Sequence, residues 1–309
     1  MTPDAHTIQE LFLEVGDGHQ LYVQDWGAAD ATTPIVYLHG GPGSGCSNKH
    51  RQSFDPKKQR VIFFDQRGCG RSLPYGSLEH NTTADLVEDI EKIAVHLKLD
   101  TFVITGGSWG SCLAFAYALK YPARVKAMAL RGIFTGTKEE ASWLDNGDFR
   151  AFYPDIWDAY LAKTPKSHQA NPSKYHAERI LHGDEAAARD SGYAYECLEG
   201  ALLSLDDRFM APGPEDYDPA GVRIETAYLQ NGCFMPDKYI LHNAHKLKMP
   251  IWLVQGRYDM VCPPITAYNM HQALPNSHLI WTIAGHHGSD RSTYDAMHAI
   301  LLQLTEENA

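Results

Sequence analysis

Six short runs of hydrophobic residues recur along the chain, and each has the length of a buried β-strand. The runs are IVYL (35–38), VIFF (61–64), FVIT (102–105), AMAL (127–130), IWLV (251–254) and LIWTI (279–283). Such short, almost unbroken apolar stretches are typical of strands that are covered on both faces, as they are in parallel sheets. The pattern therefore predicts a mostly parallel β-sheet.

A helical pattern separates the second of these runs from the third. In the segment 81–100, apolar residues recur at helical spacing from Leu86 to Leu97, which predicts a helix with one buried face. Thr82 and Asp85 before it have the spacing of a capping box. Strands that alternate with helices in this way predict a doubly wound α/β sheet.

Residues 134–240 follow a different pattern. They are rich in Tyr, Trp, Ala and Glu, they include helix-like stretches at 155–163 and 184–205, and no apolar run of the earlier kind occurs among them. We therefore predict a core domain formed by residues 1–133 and 241–309, with a mostly helical cap inserted between the two parts. Such a cap is expected over the carboxyl ends of the strands, where open α/β sheets bind their ligands.

Composition and charge exclude several classes of function. The 309 residues carry 27 basic and 38 acidic side chains, a formal net charge of −11, which argues against nucleic acid or an anionic membrane as a partner. No apolar run approaches the roughly 18 residues of a membrane span. The six cysteines form no CxxC pair and no signal-peptide pattern is visible, so we expect reduced thiols and a cytoplasmic location. No metal-binding motif is found, and no metal is predicted.

One serine lies where an apolar run changes into a helical pattern. Ser108 stands in GGSWG (106–110), which matches the G-x-S-x-G motif of a nucleophile elbow, with a strand before it and a helix after it. Glycines suit this strained turn because neighbouring backbones approach it closely. A tight strand-to-helix corner with an incidental serine would look the same, so the remaining chain has to decide.

Two later segments supply the other members of a catalytic triad. Asp259 follows the run 251–254, and His286 follows the run 279–283 after a glycine. The chain order Ser, Asp, His is the order of α/β hydrolases. His286 would take the proton of Ser108, and Asp259 would orient the imidazole. His287 is a competing base, and we prefer His286 because it directly follows the glycine.

An oxyanion hole needs two backbone N–H donors. Trp109, the residue after Ser108, offers one, and Gly41 in the HGGPGSG turn (39–45) offers the other. The same turn could be a plain glycine-rich turn or a phosphate cradle. The missing lysine and the Gly-Pro step argue against a phosphate-binding P-loop.

Six segments, in their order and spacing, resemble the prolyl aminopeptidase (proline iminopeptidase) family of the α/β-hydrolase fold. They are HGGPGSG (39–45), FFDQRGCGRS (63–72), NTTADLVEDIE (81–91), GGSWGS (106–111), LRGIF (130–134) and RIETAYLQNGCF (223–234). The resemblance implies an α/β-hydrolase fold with a mostly parallel, doubly wound sheet and an inserted helical cap. It also implies a serine exopeptidase that releases N-terminal proline from small peptides, without a metal or an organic cofactor.

The resemblance further implies how the substrate is held. Two cap glutamates of the family, which would bind the protonated amino terminus, correspond to Glu199 and Glu225. Phe134 would line an apolar slot for the pyrrolidine ring. The default alternatives are a solvent-exposed helix face for each glutamate and ordinary core packing for Phe134.

The chain also departs from the family pattern. Tyr195 and Leu198 stand where the family usually has tryptophan, Leu144 stands where an aromatic residue is common, and His287 replaces a small residue. These differences predict a pocket that is less strictly shaped for proline. Two alternative functions stay open: a broad esterase or amidase with the same triad, and a ligand-binding protein that keeps the fold without turnover.

Overall fold

An eight-stranded sheet runs through the computed structural model, which describes residues 5–205, 213 and 217–306. The strands are β1 (Thr7–Gly16), β2 (His19–Gly27), β3 (Ile35–Leu38), β4 (Arg60–Phe64), β5 (Phe102–Ser108), β6 (Val125–Ile133), β7 (Ile251–Gly256) and β8 (Ser277–Thr282). Their order in the sheet is β1-β2-β4-β3-β5-β6-β7-β8. The pairings β1–β2 and β2–β4 are antiparallel, and all the others are parallel.

Helices connect the strands and cover both faces of the sheet. Among the described residues the α-helices are α1 (Asn48–Arg51), α2 (Thr83–His96), α3 (Trp109–Lys120), α4 (Lys138–Asp145), α5 (Pro154–Ala162), α6 (Pro172–His182), α7 (Glu185–Leu202), α8 (Pro219–Gln230), α9 (Tyr239–Asn243), α10 (Pro264–Ala273) and α11 (Arg291–Glu306). No helix in this part of the chain has both the length and the apolarity of a membrane-spanning segment.

All six predicted strands and the capped helix are confirmed. The six apolar runs form β3 to β8, and the Thr82 side chain accepts a hydrogen bond from the backbone N–H of Asp85 at the start of α2. The prediction omitted β1 and β2, whose partly polar sequences lack an unbroken apolar run. The predicted fold class, an α/β hydrolase with a mostly parallel sheet, agrees with this architecture.

The sheet has an apolar layer on each face. On one face, Ile104 packs in a large cluster with residues of α2 and α3. On the other face, Val103 and Val254 pack against Met297 and Leu301 of α11. Successive side chains of a strand point to opposite faces, so Val103 and Ile104 of β5 enter different layers. The central strands are therefore buried on both sides, as their composition predicts.

Helices α4 to α8 lie between β6 and β7 in the chain and have a small core of their own. In this cluster Phe149, Trp157 and Leu198 are buried together with Val261 and Cys262, which belong to the loop after β7. No strand occurs among the described residues of the segment 134–240, while 206–212 and 214–216 lie outside the described residues. The domain limits drawn from the sequence stay a prediction.

Candidate active site

Ser108 lies at a sharp turn between β5 and α3. It has φ 56° and ψ −128°, a backbone conformation that is unusual for a residue with a side chain. The end of β3 packs so tightly against this turn that a Cβ on Gly106 would lie 2.6 Å from the carbonyl oxygen of Leu38, and one on Gly110 only 2.2 Å from it. Glycine is therefore required on both sides of Ser108.

His286 and Asp259 form a buried hydrogen-bonded pair. The Nδ1 atom of His286 lies 2.9 Å from Oδ2 and 3.1 Å from Oδ1 of Asp259. The loop after β7 fixes the carboxylate, because the backbone N–H groups of Val261 and Cys262 donate to Oδ1 at 3.0 and 2.7 Å. Gln255 donates to Oδ2 at 3.0 Å. Such a carboxylate holds the proton of the imidazole on Nδ1 and leaves Nε2 as the basic atom.

A single backbone carbonyl group accepts two hydrogen bonds from the loop that carries His286. The backbone N–H groups of His286 and His287 both donate to the carbonyl oxygen of Leu203, at 3.0 and 2.8 Å. The Nδ1 atom of His287 instead pairs with Ser289, 2.7 Å from its hydroxyl oxygen. Burial lowers the pKa of His287 to about 4, with help from the positive charge of Arg131. His286, and not His287, is the histidine that contacts Asp259.

Gly132 supports the imidazole from the end of β6. It has φ +50°, and a Cβ at this position would lie 3.0 Å from Cε1 and 3.2 Å from Nδ1 of His286. Any side chain here would press on the imidazole while also straining the backbone. Gly132 therefore allows the close packing of β6 against the pair formed by His286 and Asp259.

A buried polar network links the turn that contains Gly41 to Ser108. Trp109 donates from Nε1 to the side chain of Gln66 at 2.8 Å, and Gln66 donates from its amide nitrogen to the carbonyl oxygen of His39 at 3.0 Å. The backbone N–H of Gln66 donates to Nε2 of His39, so the hydrogen of this imidazole lies on Nδ1, 2.9 Å from the carbonyl oxygen of Gly40. Burial lowers the pKa of His39 and keeps the imidazole neutral.

The candidate residues surround one cavity of about 340 Å³, which we call the central cavity. Ser108, His286, Gly41, Glu199 and Glu225 all line it. These residues lie in five separate segments of the sequence, and the fold brings them together at the carboxyl ends of the parallel strands. Trp109 is fully buried directly behind Ser108.

The inserted helices contribute an acidic wall to the central cavity. Glu199 and Glu196 lie on α7, and Glu225 lies on α8, where it accepts a hydrogen bond from the hydroxyl of Tyr195 at 3.3 Å. Burial raises the pKa of Glu199, and burial with the nearby Glu199 charge raises that of Glu225 well above its usual value. Burial raises the pKa of Glu196 to about 7. Carboxyls with raised pKa values are suited to bind a cation that replaces their protons.

A smaller cavity of about 40 Å³, the side pocket, opens beside Ser108. Phe134, Leu144, Tyr195, Val261 and Cys262 supply much of its wall. Glu199 and Glu225 line it too, at the border with the central cavity. The side pocket thus offers an apolar space for a small group that carries a positive charge at one edge.

Comparison with known proteins places the chain in a family. The sequence model of the α/β hydrolase fold matches residues 33–290. The chain is 39% identical over 302 residues to a proline iminopeptidase of Xanthomonas citri, with 96% of each protein covered. It is 39% identical over 293 residues to a proline iminopeptidase of Arabidopsis thaliana, with 90% of this chain and 75% of the relative covered. The chain belongs to the proline iminopeptidase family of α/β hydrolases.

Solved structures agree on the fold. The crystal structure of a proline iminopeptidase from Mycobacterium smegmatis superimposes with a TM-score of 0.62 at 19% identity, covering 96% of this chain and 97% of that chain. In the described part of the chain, no group of three or more His, Cys, Asp or Glu side chains is arranged to hold a metal ion.

The departures from the proline iminopeptidase pattern differ in their structural effect. Tyr195 and Leu144 line the side pocket, so they change its shape directly. Leu198 is buried among the inserted helices with Phe149 and Trp157, so it acts on helix packing. His287 lines the central cavity.

Sequence reasoning missed three residues that position this proline iminopeptidase site. Gln255 had a signal, since it is a polar residue at the end of the apolar run 251–254. Gln66 lies in a segment that carried the family resemblance, yet its link to Trp109 depends on the fold. Gly132 also lies in a segment that carried the resemblance, LRGIF (130–134), but its role depends on the close approach of His286.

Proposed function

We propose that the protein is a serine aminopeptidase that releases the N-terminal proline residue from peptides. The observation that carries this proposal is the combination in one cavity of Ser108, of His286 with Asp259 behind it, and of the carboxyls of buried Glu225 and half-buried Glu199 beside a small apolar pocket. A hydrolase without an amino-terminal preference has no use for these carboxyls, because burying them is costly.

The proposed reaction has two steps. Ser108 Oγ attacks the carbonyl carbon of the first peptide bond while its proton passes to His286 Nε2. The resulting oxyanion accepts hydrogen bonds from the backbone N–H groups of Gly41 and Trp109. The carbon–nitrogen bond then breaks as His286 protonates the leaving amine, and Ser108 holds a prolyl ester. Water attacks this ester with His286 as the base, which releases proline and restores the hydroxyl.

The acidic wall selects substrates that begin with a free amine. The protonated imino group of an N-terminal proline would lie between Glu199 and Glu225, close to Ser108. An ammonium group favours the ionised forms of both carboxyls and so offsets the cost of their burial. A blocked terminus, or a residue further along a chain, cannot offer this charge at that place.

The side pocket is proposed to take the pyrrolidine ring. Phe134 and Leu144 form its apolar surface, and its small volume suits a compact ring better than a long side chain. The inserted helices that supply Glu199, Glu225 and Tyr195 would then act as the cap predicted from the sequence, with limits near residues 134 and 240. Six free cysteines support the proposal that the protein works in the cytoplasm.

Hydrolysis of L-prolyl and L-alanyl p-nitroanilide by the wild-type protein and by Ser108→Ala tests this proposal. We expect the prolyl compound to be preferred and at least about a thousandfold loss of kcat/KM in the variant. A fluorophosphonate probe should label the wild type and not Ser108→Ala. Equal hydrolysis of both compounds would contradict the proline preference, and activity retained by Ser108→Ala would contradict the mechanism.

A further inference from the structure

A third cavity adjoins the central cavity. It measures about 470 Å³ and lies between α1, the loop 287–289 and α11. Four residues line both cavities, so the two spaces adjoin: Tyr37, His50, Arg131 and His287. We call this space the outer cavity.

The charged residues that line the two adjoining cavities differ in sign. Glu196, Glu199 and Glu225 line the central cavity. In the outer cavity the charged side chains are Arg131 and Lys49, and none of the described residues that line it is acidic. In a protein with a net charge of −11, a cavity lined by cations and no carboxylate is a notable exception that favours an anionic group.

Two neutral histidines accompany these cations. Burial lowers the pKa of His50 to about 4, with help from the positive charge of Arg131. The Nδ1 atom of His50 accepts a hydrogen bond from the backbone N–H of Ser47 at 3.1 Å, so the hydrogen of its neutral ring lies on Nε2. The outer cavity therefore offers a neutral donor next to two permanent cations.

The proposed chemistry determines which part of a substrate reaches the outer cavity. His286 donates its proton to the leaving amine, so the residue after proline must lie on the His286 side of Ser108. Arg131 is there, since its Nη1 atom donates to the carbonyl oxygen of His286 at 3.1 Å. Its guanidinium also covers Gly107, the neighbour of Ser108, where a Cβ would lie 2.6 Å from Cζ.

The distances suit a short substrate. In a dipeptide the carboxylate carbon is three bonds from the scissile carbonyl carbon, about 4 Å when extended. Arg131 lines the central cavity together with Ser108, so its guanidinium is the first cation that such a carboxylate would meet. Lys49 lines the outer cavity and not the central cavity, so we assign it to the longer tripeptide.

We propose that the outer cavity binds the C-terminal carboxylate of dipeptide and tripeptide substrates through Arg131 and Lys49. This inference rests on the proposed aminopeptidase function and names its substrate class. The inner carboxyls would hold the positive end of a zwitterionic peptide and the outer cations its negative end. Short peptides with a free carboxylate are then better substrates than their amidated or longer counterparts.

Release of proline from Pro-Ala and from Pro-Ala-NH2 tests the inference in the full-length protein. Amidation removes the negative charge and makes the leaving amine less basic, so chemistry alone favours the amide. We expect kcat/KM to favour the free acid by about tenfold, the effect of one charge-assisted hydrogen bond. The ratio of the two values is an internal control for general damage to a variant.

Variants assign the preference to the outer cavity. Arg131→Gln should bring the ratio for the dipeptide pair close to one, and Lys49→Met should lower the ratio for Pro-Ala-Ala and its amide. Lys57→Met is the matched control, because Lys57 is an exposed lysine outside the cavity lining; it should keep both ratios.

The outcomes separate the inference from the function on which it rests. Equal cleavage of acid and amide by the wild type, or a preference that survives both Arg131→Gln and Lys49→Met, would overturn the inference and leave the aminopeptidase intact. Failure to release proline from either peptide would overturn the proposed function together with the inference.

Discussion

The imidazole of His286 lies between the carboxylate of Asp259 and the backbone of Gly132. The Nδ1 atom of His286 lies 2.9 Å from Oδ2 of Asp259. Gly132, at the end of β6, has no side chain that would press on the imidazole from the other side. Because general base catalysis depends on an alignment of a few tenths of an ångström, a small group added at Gly132 should act through His286.

Gly132→Ala should lower kcat by about tenfold to a hundredfold, because the new Cβ would displace the imidazole. Gly232→Ala is a matched control, since Gly232 has φ +56° and open space around a Cβ. Both variants strain a backbone in the left-handed region, at a cost of about 1 kcal/mol. Steady-state kinetics measure kcat, and thermal unfolding gives the folded fraction by which kcat is corrected. Full kcat in both variants would contradict this account.

Binding of L-prolyl p-nitroanilide to Ser108→Ala should weaken as the pH falls. The cation needs ionised carboxylates, and burial raises the pKa values of Glu196, Glu199 and Glu225, that of Glu196 to about 7. The weakening should therefore begin above the roughly 4.3 of an ordinary glutamate. Calorimetric titration from pH 8 to pH 5 measures it, and a constant affinity over this range would refute the role of the acidic wall.

At the scale of elements, the polar network between three turns holds the proposed oxyanion hole. Gln66, in the turn after β4, bonds to His39 after β3 and to Trp109 at the start of α3. The backbone donors of Gly41 and Trp109 thus belong to one rigid unit. Their relative position is set by three strand ends and not by the glycine-rich turn alone.

Gln66→Leu should reduce both stability and activity. It leaves Trp109 Nε1 and the carbonyl oxygen of His39 buried without their partner, at about 1–3 kcal/mol for each group. Gln59→Leu is the comparison, since Gln59 is equally buried and bonds to Asp55 and Thr305 away from the site. Urea unfolding should show a loss in both variants, whereas kcat/KM per folded molecule should fall only in Gln66→Leu. A normal kcat/KM in Gln66→Leu would show that the network serves stability alone.

The sequence predicts elements well where one local property is sufficient. Strands β3 to β7 are largely buried, and the half-buried edge strand β8 still carries an apolar run, so apolarity is enough to find all six, whereas β1 is largely exposed and its polar positions conceal it. The residues of the proposed triad stand at strand ends in a recognisable order. Gly132 and Gln66 escape prediction because their importance comes from residues that are distant in sequence.

At the scale of the whole molecule, the buried carboxyls of the proposed site lower the free energy of unfolding. A carboxyl whose pKa is raised by folding binds more protons in the native state than in the unfolded state. The free energy of unfolding therefore falls as the pH rises above the unfolded pKa of about 4.3. Glu225, buried beside Glu199, is such a carboxyl, so it lowers the free energy of unfolding at neutral pH.

Glu225→Gln should raise the Tm at pH 8, and the gain should shrink toward pH 5, because the amide has no charge to bury and can still accept the bond from Tyr195. Glu178→Gln, at an exposed position of α6, should leave the Tm unchanged. Scanning calorimetry at both pH values measures the difference. A lower Tm for Glu225→Gln at pH 8 would mean that the carboxylate stabilises the fold.

The most direct test of the central claim compares L-prolyl p-nitroanilide with its N-acetyl derivative. Both present the same ring and the same scissile bond, and only the first carries a positive charge for Glu199 and Glu225. The account predicts that kcat/KM for the free amine exceeds that for the acetylated compound by about a hundredfold or more, from charge-assisted hydrogen bonds. It also predicts that Glu225→Gln removes most of this preference. Equal cleavage of the two compounds by the wild type would contradict the account, because the buried carboxyls would then have no amino terminus to bind.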